Sequence, residues 1–207
     1  MKQLFLCSYF AGVKDLFRQY ASEKELGKQV LFIPTAGNVE DYRGYIDEAL
    51  QSFADLGFQV EVLDISACDR ETAQAKIFQS KLLYISGGNT FYLLQELKKK
   101  QLLSLIKEQI ADGMVYVGES AGAVITAEDI DYIRLMDDKE VAGELSDTVA
   151  LKEADFYLLP HVGEEPFAES AQAILDTYGD KLNLLPLNNR QAVLVEDEKV
   201  KVLVENK

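Results

Sequence analysis

Short apolar runs alternating with stretches of helical spacing constrain this chain more than any other feature. Val30-Leu31-Phe32-Ile33, Val60-Glu61-Val62-Leu63, Leu82-Leu83-Tyr84-Ile85 and Met114-Val115-Tyr116-Val117 are β-prone, and most are followed by Gly, Pro or Asn. Between them, Asp41 to Leu56 places Tyr45, Ala49, Phe53 and Leu56 on one helical face and stops at Gly57. A shorter helix is expected around Glu71 to Phe78, and two more from Thr90 to Asp112 with a break near Lys100-Gln101. Parallel strands need such crossovers. The pattern therefore predicts an α/β fold, a three-layer sandwich with a mainly parallel central sheet covered on both faces. The first strand falls near Leu4 to Cys7, a last long helix runs from Phe167 to Tyr178, and Gln191–Val195 with Val200–Val204 form a terminal hairpin. The charged stretch Glu128 to Glu153 reads as helix or loop outside the core. The chain has 207 residues and no repeat or linker, so one domain spanning 1–207 is expected.

Within that frame, Gly118-Glu119-Ser120-Ala121-Gly122 follows a strand and precedes small residues that can begin a helix. This is the strand–tight turn–helix setting of a G-x-S-x-G nucleophile elbow, which lifts the serine hydroxyl clear of the sheet edge. The following helix would turn free N–H groups and its positive dipole end toward an oxyanion. The same turn could equally hold Ser120 as a helix cap.

His161 is the only histidine, and it ends the apolar run Asp155 to Pro160 at a strand's carboxyl end. Open α/β sheets place their ligands there, and imidazole is the base suited to activating a serine near neutral pH. A lone histidine is more often structural, but here it coincides with an elbow serine. Ser86-Gly87-Gly88-Asn89-Thr90 also joins a strand to a helix. It lacks the spacing of a phosphate loop. Its Gly88 N–H and that of Ala121 fit the two donors of an oxyanion hole; the plainer reading is a turn capped by Asn89 or Thr90.

Charge and composition exclude other classes. A formal charge of −14 argues against nucleic acid and anionic membrane as partners. No run approaches the roughly 20 apolar residues of a membrane span, and the apolar start is too short for a signal peptide. Cys7 and Cys68 form neither a disulfide framework nor a metal spacing, which suits a reducing cytoplasm. With one histidine, a metal site has little to build on.

Three motifs together resemble one family. Ser86-Gly87-Gly88-Asn89-Thr90-Phe91 resembles the G-G-G-N-T-F motif of the peptidase E (aspartyl dipeptidase) and cyanophycinase family of serine peptidases. Gly118-Glu119-Ser120-Ala121-Gly122-Ala123 is similar to its G-x-S-A-G-A nucleophile motif, and Pro160-His161 to its catalytic histidine segment. The resemblance covers most of the chain in the family's order. It implies a class I glutamine-amidotransferase-like (flavodoxin-like) sandwich and acyl transfer through Ser120, with His161 as base and then acid. It also implies an oxyanion hole at Gly88 and Ala121 and no metal or organic cofactor. Asn89, Thr90 and Glu119, beside these groups, are the candidate substrate-binding residues.

Two departures qualify that implication. The family's third triad member is a glutamate in an L-P-E-G segment, whereas Leu185-Pro186-Leu187-Asn188-Asn189-Arg190 here puts Asn189 at that place. An asparagine can orient an imidazole but cannot stabilise imidazolium by charge. Asp137, or its neighbour Asp138, is the alternative acid, and both could instead be solvated loop carboxylates. The second departure concerns specificity. Aspartyl dipeptidases carry an arginine soon after the histidine, but Glu164-Glu165-Pro166-Phe167-Ala168-Glu169 follows His161, and no arginine occurs between Arg134 and Arg190. An acidic pocket repels an aspartyl side chain and suits an α-ammonium. The expectation is thus a serine peptidase for short peptides, not strict for N-terminal aspartate. An amidase or esterase on the same machinery and a catalytically impaired binding homologue remain as alternatives. The sequence also admits a homodimer.

Overall fold

The computed structural model describes residues 1–205. Its main sheet has seven strands in the order β3-β2-β4-β5-β1-β8-β9. In chain order the strands are β1 (Gln3–Cys7), β2 (Gln29–Ile33), β3 (Gln59–Val62), β4 (Leu82–Ile85), β5 (Val115–Glu119), β6 (Tyr157–Leu159), β7 (Leu184–Pro186), β8 (Gln191–Glu196) and β9 (Lys199–Val204). The first five are mutually parallel; β8 runs antiparallel to β1, and β9 to β8. The parallel strands connect through α1 (Lys14–Glu23), α2 (Gly44–Asp55), α3 (Arg70–Gln79), α4 (Thr90–Lys99) and α5 (Leu103–Ala111).

Alternation along the strands divides the core between two faces. Leu4, Leu6, Ile33, Leu83, Ile85 and Tyr116 pack on one side, with Ile77, Leu94 and Leu97 from the helices. Phe5, Cys7, Phe32, Tyr84 and Val117 point to the other, where Phe17 of α1 and Phe53 of α2 cover them. That second face is aromatic: Phe10 stacks on Phe53 and Phe32 on Tyr84, each at 4.5 Å between centroids. A strand apolar in every position is thereby explained, because both of its faces are buried. No helix among the described residues is long and apolar enough to cross a membrane.

Three expectations need correction. The Glu128–Glu153 stretch is not outside the core: Ile130, Tyr132, Ile133 and Leu151 are buried around short 3-10 turns at Asp131–Leu135 and Glu140–Ala142. Its charges lie between apolar residues that pack inward, and the Leu151 N–H donates to Ile125 O. The strand before His161 does not join the main sheet; β6 pairs with β7 in a separate parallel pair. Finally, the helix following Ser120 is a single turn, α6 (Ala121–Val124). So short a helix offers N–H groups without an appreciable macrodipole.

Candidate active site

Ser120 ends β5 in a backbone conformation rarely adopted by a side-chain-bearing residue, with φ 46° and ψ −109°. The turn is held from both sides: the Ser120 N–H donates to Cys7 O at 2.9 Å, and Ser120 O accepts from the N–H groups of Ala123 and Val124. Strain maintained by surrounding bonds in this way is a mark of functional turns.

The serine Oγ lies 3.0 Å from His161 Nε2, and His161 Nδ1 lies 2.7 Å from Asn189 Oδ1. An amide oxygen only accepts, so the ring proton belongs on Nδ1 and Nε2 is free to accept from the serine hydroxyl. His161 itself has φ 60°. Its N–H donates to Ser8 Oγ, whose hydroxyl donates in turn to Leu187 O. Its ring lies against Phe167 at 4.8 Å and 26°. Burial lowers the imidazole pKa below its ordinary value, while the hydrogen bond to Asn189 and the charge of Glu164 oppose the shift.

Asn189 stands in the turn between β7 and β8. That turn is fixed by Asn188, whose Oδ1 accepts from the Arg190 N–H and whose N–H donates to Gln191 Oε1. The structure thus assigns the place beside Nδ1 to Asn189, not to Asp137. The Asp137 carboxylate instead accepts from the Thr90 N–H at 2.9 Å, across the pocket, and burial pushes its pKa up to about 6.

The Ser86–Thr90 loop joins β4 to α4. Gly88 has φ 128°, and a Cβ there would lie 2.3 Å from the Ala36 carbonyl carbon, so only glycine fits. The N–H groups of Gly88 and Ala121 donate to no protein acceptor among the described residues. Asn89 and Thr90 do not present their polar groups freely. Asn89 caps α4 by accepting from the Tyr92 N–H and donates to Asp138 O, and Thr90 is buried against Asp137. Glu119 lines the cavity but is 2% exposed, and its carboxylate is engaged by the protein: it accepts from the Phe10 N–H at 2.7 Å, from the Tyr84 hydroxyl and more weakly from the Gly87 N–H. Burial raises its pKa to about 7.

These groups open onto a cavity of about 450 Å³. Sequence reasoning had not singled out several of its walls: Tyr9, Val39, Glu40, Met136 and Val141, with Phe167 beside the histidine. Tyr45 also lines it, with a buried hydroxyl lacking a protein partner among the described residues. Its wall carries Glu40, Glu119, Asp137, Asp138 and Glu165 and, among the described residues, no lysine or arginine. A larger hollow of about 680 Å³ lies at the amino ends of β2, β3 and β4, lined by Lys28, Gln59 and Lys81, and holds none of this chemistry.

The model of peptidase family S51 matches residues 6–203. An uncharacterized peptidase of Pasteurella multocida is 44% identical over 198 residues, covering 96% of this chain and 95% of that protein. One of Listeria monocytogenes is 42% identical over 200 residues, covering 97% of each. A peptidase E of a Shewanella species is 37% identical over 133 residues, 63% of this chain and 52% of its own. A crystal structure assigned as a peptidase E protein from Listeria monocytogenes superposes with a TM-score of 0.93 at 39% identity, covering 100% of both chains. The structure of an actinobacterial peptidase, at 20% identity, shares the fold with a TM-score of 0.71, over 99% of this chain and 88% of that one.

Proposed function

Because the chain belongs to peptidase family S51, we propose that it hydrolyses short peptides through an acyl-enzyme on Ser120. The observation that carries this reading is the continuous contact from Ser120 Oγ to His161 Nε2 and from His161 Nδ1 to Asn189. In the first step His161 takes the hydroxyl proton as Oγ attacks the scissile carbonyl. The Gly88 and Ala121 N–H groups stabilise the oxyanion. The imidazolium then protonates the departing amine, and water attacks the ester by the same route in reverse.

The acidic wall supports a second element of the reading. Glu40 and Asp137 attract a free α-ammonium and repel an aspartyl side chain, so the enzyme is not strict for N-terminal aspartate. Mass spectrometry of a dipeptide and tripeptide library, with Ser120→Ala as control, tests both parts. Cleavage by the wild type that disappears in the variant is expected. Residual turnover above about a tenth in the variant contradicts the nucleophile, because removing a triad member costs several orders of magnitude, and exclusive Asp-Xaa cleavage contradicts the pocket.

Asn189 in the place of an acid favours one competing reading, a catalytically impaired binding homologue. Labelling by a fluorophosphonate separates the two: a competent Ser120 reacts and an idle one does not.

A further inference from the structure

The arrangement around His161 lacks the element that a carboxylate supplies in a Ser-His-acid triad. Asn189 can fix the tautomer, but it brings only a dipole to the imidazolium that forms when the serine gives up its proton. Burial of the imidazole makes that charge costlier still, through desolvation. A counter-charge must come from somewhere near the ring.

Several ionisable groups face His161. Glu164 and Glu165 lie on its own loop, Tyr9 follows β1, Glu119 lies behind the elbow, and Asp137 and Asp138 stand across the cavity. Asp137 is committed to Thr90, and Glu119 to Phe10 and Tyr84. Glu164 differs from all of them in its connections. Its N–H donates to His161 O at 3.0 Å, closing a turn with the histidine. Its carboxylate Oε1 then accepts from the Asn189 N–H at 3.4 Å. Glu164 therefore holds the residue that holds His161. It is half-buried, so its field is less screened than that of a surface charge.

We infer that Glu164 is a positioning residue that supplies, from behind Asn189, the negative charge missing from the triad. It touches neither substrate nor the reacting atoms. Its effect is to favour imidazolium over imidazole and to hold the Asn189 turn against the ring. The direction of its influence agrees, since its charge opposes the lowering of the His161 pKa by burial.

The inference rests on the serine mechanism proposed above, and the test separates the two. The probe is a fluorophosphonate, whose labelling rate on the intact chain is measured from about pH 4.5 to 9, a range that spans the ordinary histidine pKa, and needs no known substrate. Glu164→Gln keeps a side-chain oxygen for the Asn189 N–H and removes only the charge. Its labelling rate should fall about tenfold, and the acid limb of the profile should move to lower pH by about one unit, the change equivalent to one such factor. A purely structural role would lower the rate without moving the limb. A limb unchanged from wild type overturns the inference.

A second variant guards against a trivial loss. Asn189→Asp puts a carboxylate directly on Nδ1, so adding Glu164→Gln to it should cost less than about threefold if the two charges serve one purpose. The full tenfold loss in that background overturns the inference as well. Failure of the serine mechanism looks different: neither wild type nor Asn189→Asp labels at Ser120 at any pH.

Discussion

Two residues of the cavity wall, Asn189 and Asp137, carry separate parts of the proposed mechanism. The Asn189 side-chain oxygen accepts from the imidazole Nδ1. Asn189→Ala frees the ring to rotate and to take the wrong tautomer, so kcat should fall by about two orders of magnitude, with thermal stability retained. Steady-state kinetics beside a melting curve checks it, and a loss below about threefold would remove Asn189 from the mechanism. Asp137 faces the cavity from the Thr90 side with a pKa of about 6. Because that value is raised, the carboxylate loses its charge as pH falls through about 6, while an α-ammonium stays charged. KM for free-amine dipeptides should therefore climb below about pH 6, and this rise should vanish in Asp137→Asn. N-acetylated peptides should show no such climb. A KM flat from about pH 5 to 8 with free-amine peptides would remove Asp137 from substrate recognition.

At the scale of elements, the elbow works because β4, β5 and α6 approach more closely than side chains permit. A Cβ on Gly122 would lie 2.2 Å from Ile85 O, and one on Gly118 would lie 2.5 Å from Gly122 O. Gly122→Ala must push α6 off β4, which carries the Ser86–Thr90 loop at its end. Overpacking of this kind typically costs about 1–3 kcal/mol, and for a chain of this size the melting temperature should drop by several degrees. Gly27→Ala, with nothing within 4 Å of the new Cβ, is the matched control and should leave it unchanged. Equal melting temperatures for the two variants would mean that the turn relaxes freely. The elbow turn was legible in the sequence because strand, glycines and serine are consecutive, and the later helices and the terminal hairpin were legible because their periods are local, whereas α1 at Lys14–Glu23 was not foreseen. What the sequence concealed depends on distant pairing. The β6–β7 pair joins residues far apart in the chain, and it brings the loops of His161 and Asn189 together. That proximity, rather than residue type, decides between Asn189 and Asp137. Glu119 misled for a related reason: its neighbours in sequence are Ser120 and a glycine, but its partners Phe10 and Tyr84 come from distant parts of the chain.

Across the whole molecule, Glu119 lies where the aromatic face of the core meets the carboxyl ends of the strands, and its titration belongs to the fold as much as to the site. Its pKa is about 7 in the folded chain against an ordinary 4.5, raised by burial against the pull of its hydrogen bonds to Phe10, Tyr84 and Gly87. The folded state thus holds this proton more tightly than the unfolded state. The resulting stabilisation is complete below about pH 4.5 and is lost as pH rises through about 7. A shift of that size corresponds to roughly 3 kcal/mol. The net charge of −14 adds self-repulsion that also grows with pH, so the wild-type curve alone would not isolate one residue. The difference between wild type and Glu119→Gln does, because the general repulsion is nearly common to both. The variant's amide cannot ionise, so its stability should fall less between about pH 5 and pH 8 than that of the wild type, and the melting-temperature gap should move in favour of the variant by several degrees. The sign matters more than the size. A gap that moves the other way would mean that Glu119 is ionised in the fold throughout this range, its charge held by the Phe10 N–H and the Tyr84 hydroxyl. The buried carboxylate next to Ser120 would then be a permanent negative charge behind that serine rather than a group neutral in the folded protein below about pH 7.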